Sequence, residues 1–309
     1  MDSIPDILDD LRAGRMIVLV DDEKRENEGD LVVAAEKIDD QTVNFMLREA
    51  RGLLCVALTP ERCQQLELGP QASVNTAQRS TAFTVSVDGH ARHGVTTGVS
   101  ATDRATTVRL LADPDTTVSD LSRPGHIHPL KSREGGVLVR AGQTEGSVDL
   151  CRLAGLQPAA AIIEVMNEDG SMARLEDLQA LCDRHDLKMC SVADIIHHRL
   201  EREKLIERVD RAPLTTDAGT FDLIAYRSLV DPMPHVALAT GRVGQLDDTG
   251  RPVEIDEPVL VRMHSQNLLG DVFGDRQHPT GRTLHTAMSR IADAGEGAVV
   301  YLRHEKMGT

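Results

Sequence analysis

Met16-Ile-Val-Leu-Val-Asp-Asp-Glu-Lys-Arg-Glu-Asn-Glu-Gly-Asp-Leu-Val-Val-Ala-Ala35 sets two short apolar runs, residues 16–20 and 31–35, on either side of an acidic decapeptide. Five-residue apolar runs that end in charge are short for a core helix and read as buried strands. On the N-terminal side, Ile4, Ile7, Leu8 and Leu11 have helical spacing and stop at Gly14, a good helix terminator. On the C-terminal side, Val43, Met46, Leu47 and Ala50 mark a helix ending at Gly52, and residues 53–58 return as a strand. Phe83-Thr-Val-Ser-Val87 alternates with period two, as a strand does. Residues 101–112 and 144–154 read as helices, the second with Thr144 as its N-cap. Residues 160–166 read as a strand, and Leu175, Leu178 and Cys182, then Val192, Ile195, Ile196 and Leu200, mark two more helices. Strands interleaved with helices over residues 1–203 predict a layered α/β or α+β domain.

The charged stretch Glu201-Arg-Glu-Lys204 reads as a solvated helix end and linker. From residue 211 to 309 the pattern is that of a smaller, strand-rich α+β module. Its strands are expected at 221–226, 235–239, 259–263 and 298–302, with a helix at 283–292. Gly and Pro punctuate it, as in Asp231-Pro-Met-Pro234. No internal repeat or low-complexity tract is visible. Two modules suit 309 residues at about 100–200 residues per domain.

The chain carries 49 Asp+Glu against 34 Lys+Arg, a net charge of −15, with four Phe, two Tyr and no Trp. That balance repels phosphate backbones and offers no stacking platform, so nucleic-acid binding is not expected. No apolar run approaches the roughly 20 residues of a membrane span, and the acidic start Met1-Asp2-Ser3 is unlike a signal peptide. The five cysteines, Cys55, Cys63, Cys151, Cys182 and Cys190, are odd in number and form no CxxC pair, which fits a reducing cytoplasm.

The acidic decapeptide, residues 21–30, holds six carboxylates with Arg25 among them. A hard cation such as Mg²⁺ relieves such crowding, and Arg25 beside Glu26 suits an anionic oxygen next to the metal; a solvated acidic turn explains the composition equally. In Ser122-Arg-Pro-Gly-His126 a histidine sits on a Pro-Gly turn, either as a proton-transfer group at a loop tip or as an ordinary surface side chain. Arg140-Ala-Gly-Gln-Thr144 precedes a helix, so free backbone N–H groups and Arg140 suit a phosphate, or simply form a helix start. Cys55 lies in an apolar strand, as core cysteines do. Glu164 lies within Ile162-Ile-Glu-Val165, where a carboxylate needs either a buried partner or a function.

Together these pieces resemble 3,4-dihydroxy-2-butanone 4-phosphate synthase of riboflavin biosynthesis. The resemblance rests on Arg25-Glu-Asn-Glu-Gly-Asp30, Phe83-Thr-Val-Ser-Val87, Gly94-Val-Thr-Thr-Gly-Val-Ser-Ala-Thr-Asp-Arg104, Arg123-Pro-Gly-His126 and residues 133–145, in motif order over residues 4–200. It implies a lyase converting ribulose 5-phosphate to 3,4-dihydroxy-2-butanone 4-phosphate and formate with Mg²⁺ or Mn²⁺, and a homodimer of layered mixed-sheet fold. Carried over residue by residue, Glu26 and Gln143 become the metal positions. Arg25, Glu26, Asp30, Arg140, Ala141, Gly142, Gln143, Thr144 and Glu164 become substrate contacts. His126, Glu164 and Cys55 become the catalytic positions, with Cys55 near the reacting carbons.

At Gln143 the family pattern has a histidine ligand. An amide oxygen is an acceptable Mg²⁺ donor but cannot take up a proton and suits Mn²⁺ less well. That departure opens two alternatives: an altered product from the same sugar phosphate, or a catalytically silent binding or regulatory protein. The second module, through Val261-Arg-Met-His-Ser-Gln-Asn-Leu-Leu-Gly-Asp-Val-Phe-Gly274, is similar to the first half of GTP cyclohydrolase II. Asn267, His278 and Thr280 stand where that family has zinc-binding cysteines, and no cysteine follows Cys190. The chain also ends at Thr309, where the family continues. The expectation is a truncated, zinc-free module without cyclohydrolase activity.

Overall fold

In the computed structural model residues 1–230 and 233–303 are described, and the chain divides into two compact units, Met1–Glu203 and Lys204–Thr309. Asp231 and Pro232 of the punctuated stretch lie outside the described residues, as does the chain end at Thr309.

The first unit is built on seven strands: β1 (Ile17–Val20), β2 (Gly29–Ala34), β3 (Cys55–Leu58), β4 (Val87–Gly89), β5 (Leu121–Lys131), β6 (Ala159–Glu164) and β7 (Lys188–Ser191). They lie in the order β4-β5-β3-β6-β2-β1-β7. The pairs β1–β7 and β3–β5 are parallel and the others antiparallel, so the sheet is mixed. Its helices are α1 (Ile4–Arg12), α2 (Asp40–Glu49), α3 (Pro60–Gln65), α4 (Ala101–Ala112), α5 (Gln143–Leu153), α6 (Leu175–His185) and α7 (Val192–Arg202).

Strand alternation sorts the core onto two faces. Val18, Val20, Leu31, Val33, Val56, Ala161 and Ile163 pack with α2, α4 and α6, through Val43, Met46, Val108, Leu111 and Leu178. Their neighbours Ile17, Leu19, Val32, Ala57, Ala160 and Ile162 pack with α1, α5 and α7, through Ile7, Leu11, Leu150 and Ile195. Both faces are covered, which explains why these strands read as unbroken apolar runs. Full burial of each Leu, Ile or Val contributes about 1.5–3 kcal/mol.

Three local expectations differ from the structure. Phe83 and Thr84 make only isolated bridges, to Leu130 and Pro70, and the regular strand begins at Val87, because the chain here changes partners from residue to residue. Helix α5 is capped at Gly142, so Thr144 lies inside its first turn and its side chain caps nothing. The Pro-Gly stretch before His126 is not a turn between elements. It belongs to β5, where Val87 pairs with Ile127 but Asp88 pairs with Ser122, so residues 123–126 bulge out of the ladder.

The loop before α5 is fixed from behind. Asp149 Oδ2 accepts hydrogen bonds from Val137 N–H (2.9 Å) and Arg199 Nη1 (2.6 Å), and Arg199 also donates to the Gly135 carbonyl at 2.8 Å. Both side chains are 5% exposed, so neither charge is left without a partner in a low-dielectric setting.

The second unit is a five-stranded mixed sheet, order β11-β12-β10-β9-β8, of β8 (Ile206–Thr216), β9 (Gly219–Ser228), β10 (His235–Thr240), β11 (Leu260–Ser265) and β12 (Gly297–Leu302). A short α8 (Leu268–Asp271) precedes α9 (Thr280–Ala294), whose Met288 and Ile291 pack on Phe221, Leu238 and Val299. β8 starts ahead of residue 211; it is exposed along most of its length and carries none of the apolar alternation that marks a half-buried strand. Among the described residues no helix is long and apolar enough to cross a membrane.

Candidate active site

The antiparallel register of β1 with β2 pairs Leu19 with Asp30 and Val20 with Gly29, so the acidic stretch is the loop joining two central strands. Its shape comes from Asp21. One oxygen, Oδ2, accepts Arg25 Nη1 (2.7 Å) and the Glu26 N–H (3.1 Å); the other accepts the Glu28 N–H (2.9 Å). Asp21 thus spends its carboxylate on the loop's own donors. Asp22 caps the exposed Lys24 N–H at 2.8 Å. Of the six carboxylates, only Glu26, Glu28 and Asp30 line the cavity beyond; the crowding read from the sequence is divided between loop architecture and site.

That cavity, ≈ 220 Å³, is lined by Arg25, Glu26, Glu28, Asp30, Cys55, Thr81, Phe83, Leu130, Arg140, Gln143, Thr144, Ile162 and Glu164. Strand pairing brings the acids together: β2 and β6 set Asp30 opposite Glu164. Asp30 is 5% exposed, and burial, then the charges of Glu164, Glu28, Glu26 and Asp21, push its carboxyl well above the ordinary range. Burial raises Glu28 as well, with Glu26 adding to it. Glu164 is aimed by the Leu53 N–H, which donates to its Oε2 at 2.9 Å. Cys55 lines the cavity, and its burial raises the thiol.

The cationic side forms around the start of α5. Arg140 Nη1 donates to Glu145 Oε2 (2.6 Å), and Arg25 Nη1 donates to Gln143 Oε1 (3.0 Å). A Cβ on Gly142 would lie 2.5 Å from Arg140 Nη1 and 2.8 Å from Arg25 Nη2, so the glycine leaves room for two guanidinium groups at one helix N-terminus. Two arginines beside a helix N-terminus, whose first-turn N–H groups have no intrahelical acceptor, are an arrangement that suits an anion.

Glu26 and Gln143 meet one test for a metal position. Arg25 Nη1 lies 3.1 Å from Glu26 Oε2 and 3.0 Å from Gln143 Oε1, so both oxygens face a common positive point. All the donors are hard oxygens, as Mg²⁺ requires. Among the described residues no group of three His, Cys, Asp or Glu could hold a metal, so an ion here would share its shell with substrate oxygens or water.

Three expected residues do not line the cavity. Gly142 is the N-cap of α5. Ala141 lines a neighbouring cleft. His126 does not line the cavity; its ring, 47% exposed, is held by Asp88. Glu28, Thr81 and Phe83 were not singled out from the sequence, although Glu28 and Phe83 belong to motifs quoted above. Arg79, whose Nη2 donates to the Arg25 carbonyl, comes from a loop without periodicity and gave no signal.

A mixed-sheet domain whose acidic, arginine-flanked cavity lies where β2, β3 and β6 meet the start of α5, followed by a second mixed-sheet module, defines a two-domain mixed α/β protein. The sequence profile of 3,4-dihydroxy-2-butanone 4-phosphate synthase matches residues 5–198, and that of GTP cyclohydrolase II matches residues 207–309. The chain belongs to the 3,4-dihydroxy-2-butanone 4-phosphate synthase family of riboflavin biosynthesis and carries a GTP cyclohydrolase II-type second domain.

It is 48% identical over 307 residues to "Riboflavin biosynthesis protein RibBA" of Aquifex aeolicus, covering 99% of this chain and 73% of that one. It is 47% identical over 311 residues to the protein of the same name from Mycobacterium avium, covering 100% and 71%. Among solved structures it is similar to RibBX of A. baumannii, described as a two domain 3,4-dihydroxy-2-butanone 4-phosphate synthase (35% identity, TM-score 0.78, 99% of this chain and 83% of that one). A synthase in complex with two magnesium ions aligns at 41% identity and TM-score 0.63, over 65% of this chain and 98% of that one. None of these relatives supports the altered-product or silent-binder alternative.

Proposed function

We propose that the first unit converts D-ribulose 5-phosphate to L-3,4-dihydroxy-2-butanone 4-phosphate and formate. The observation that carries this reading is the meeting, in one cavity, of a two-arginine helix N-terminus with Glu26, Glu28, Asp30 and Glu164. Arg140, Thr144 and Arg25 would hold the phosphate and a neighbouring oxygen. Glu26 and Gln143 would hold Mg²⁺ or Mn²⁺, which when bound polarises the hydroxyketone and stabilises an enediolate. Asp30, whose carboxyl is raised by burial and by the neighbouring carboxylates, would serve as one proton-transfer group, and Glu164 is fixed for a second transfer. Cys55, Phe83, Leu130 and Ile162 exclude water from the reacting carbons. His126 lies outside its own cavity, which favours a homodimer in which a second copy presents that ring.

Formate release from ribulose 5-phosphate with Mg²⁺ tests the reading directly. Gln143→His is expected to shift the metal preference toward Mn²⁺, since imidazole binds softer ions better than an amide does. Absence of formate from both the native chain and Gln143→His, at every metal concentration, refutes the synthase assignment.

The second unit is proposed to hold no zinc and to leave GTP unchanged. Asn267 Oδ1 caps α8 by accepting the Gly270 N–H at 3.0 Å, His278 is exposed beside Asp275, and all five cysteines lie in the first unit. A thiolate zinc site does not fit this donor set. Elemental analysis of purified protein should find no stoichiometric zinc, and GTP should yield neither formate nor pyrophosphate.

A further inference from the structure

We infer that Arg174 is a positioning residue that holds the acidic loop in the shape that turns Arg25 and Glu26 into the cavity; the inference rests on the synthase reading, in which those two side chains meet substrate and metal. The loop's peptide groups are held by two sets of partners. Asp21 takes the Glu26 and Glu28 N–H groups, at 3.1 and 2.9 Å. The three consecutive carbonyls of residues 25–27 go to arginines from distant parts of the chain. Arg79 Nη2 donates to the Arg25 carbonyl, and Arg174 Nη1 donates to the next two, those of Glu26 (3.0 Å) and Asn27. Asn27 stands at φ 55°, a left-handed conformation that a residue other than glycine keeps only when its surroundings hold it.

Arg174 is itself anchored. It immediately precedes α6, and its N–H donates to Asp177 Oδ2 at 2.9 Å, an oxygen that also accepts Asn167 Nδ2 at 3.3 Å. Leu178 of the same helix packs where a Cβ on Gly29 would stand, so α6 meets both the loop and its exit into β2. The segment before Arg174 starts at the end of β6. There the Ala173 N–H donates to the Val165 carbonyl at 3.0 Å, and the Val165 N–H donates to the Gly29 carbonyl at 2.9 Å. Val165 follows Glu164 directly, so one short stretch, residues 164–174, carries Glu164 at one end and the clamp on the loop at the other. A guanidinium suits that task, because it stays charged and its rigid fork offers several N–H groups to neighbouring acceptors. Its charge also makes each bond to a carbonyl stronger than a neutral donor would.

Arg174→Met removes the donors and keeps an unbranched stem. In the purified full chain without added substrate, amide hydrogen exchange of Glu26 and Glu28 is expected to quicken about tenfold or more, while residues 31–33 of β2 and the amides of α6 stay within about threefold of native. With ribulose 5-phosphate and Mg²⁺, formate release per folded molecule is expected to fall about 10- to 100-fold and half-saturating Mg²⁺ to rise about fivefold or more, the scale of a small misplacement of groups that must meet their reactants. Arg174→Lys, which keeps one charged donor but not the fork, should recover part of both losses. A role confined to stability would instead lower the melting temperature and quicken exchange throughout the first unit, with formate per folded molecule within about threefold of native; that result overturns the inference. So does an Arg174→Met protein in which Glu26 and Glu28 exchange at native rates. Should Arg174→Met not fold, Arg174→Lys decides: quickened exchange confined to the loop supports the inference, and native exchange overturns it. If the native chain releases no formate, the synthase reading fails, and the exchange of Glu26 and Glu28 still decides whether Arg174 sets the loop.

Discussion

Glu164→Gln is expected to lower formate release by about three orders of magnitude while leaving the protein folded. The side chain keeps its shape, and an amide oxygen still accepts the Leu53 N–H that holds Oε2 at 2.9 Å. The loss is that of a proton-transfer group in place, for which factors of about 10²–10⁴ are usual. Its charge also goes: Glu164 is the leading charged neighbour that raises Asp30. The variant's Asp30 should therefore ionise at lower pH, moving the acid limb of any residual activity downward. Steady-state kinetics across pH measures both effects. A variant with near-native kcat would remove Glu164 from the chemistry and leave it a strand-end carboxylate satisfied by one N–H.

Gly52→Ala should be nearly as damaging, although Gly52 does not line the cavity. A Cβ there would lie 2.7 Å from Glu164 Oε2 and 2.9 Å from its N, and closer still to its carbonyl oxygen. Two of those three atoms are backbone of β6, so the strand end must move rather than a flexible side chain. Crowding of this kind costs about 1–3 kcal/mol. Asp30 pairs with Glu164 across β2 and β6, so a shift at one alters the other. A melting temperature lowered by several degrees, together with formate release reduced at least as far as KM is raised, is the expected pair of results. Native activity in a stably folded Gly52→Ala protein would mean that the β6 end relaxes without moving Glu164.

Much of this site was legible because its residues lie in continuous motifs. Arg25, Glu26 and Asp30 come from one loop, and Arg140, Gln143 and Thr144 from one helix start. Glu164 declared itself as a carboxylate in an apolar strand. The sheet was legible for a similar reason: strands buried on both faces become apolar runs. What stayed hidden depends on pairing between distant segments. Nothing local to Val87 or Ser122 announces a bulge, and so His126 read as a turn residue when it lies on a strand excursion braced by Asp88. Asp21 read as one more candidate ligand because the sequence does not tell which carboxylate will meet the loop's own N–H groups. Arg79 and Thr81 enter from a segment with no periodic pattern at all.

The pairing of Asp30 with Glu164 also sets how this domain can vary over descent. Because side chains alternate across a strand, one residue gained or lost within β2 or β6 would send one acid of the pair to the opposite face, against the α2, α4 and α6 layer. Such a change would strand a carboxylate in hydrocarbon and empty the site at once. A one-residue insertion or deletion within β2 or β6 is therefore expected to abolish the site, whereas a substitution at its rim leaves the frame of the two strands intact.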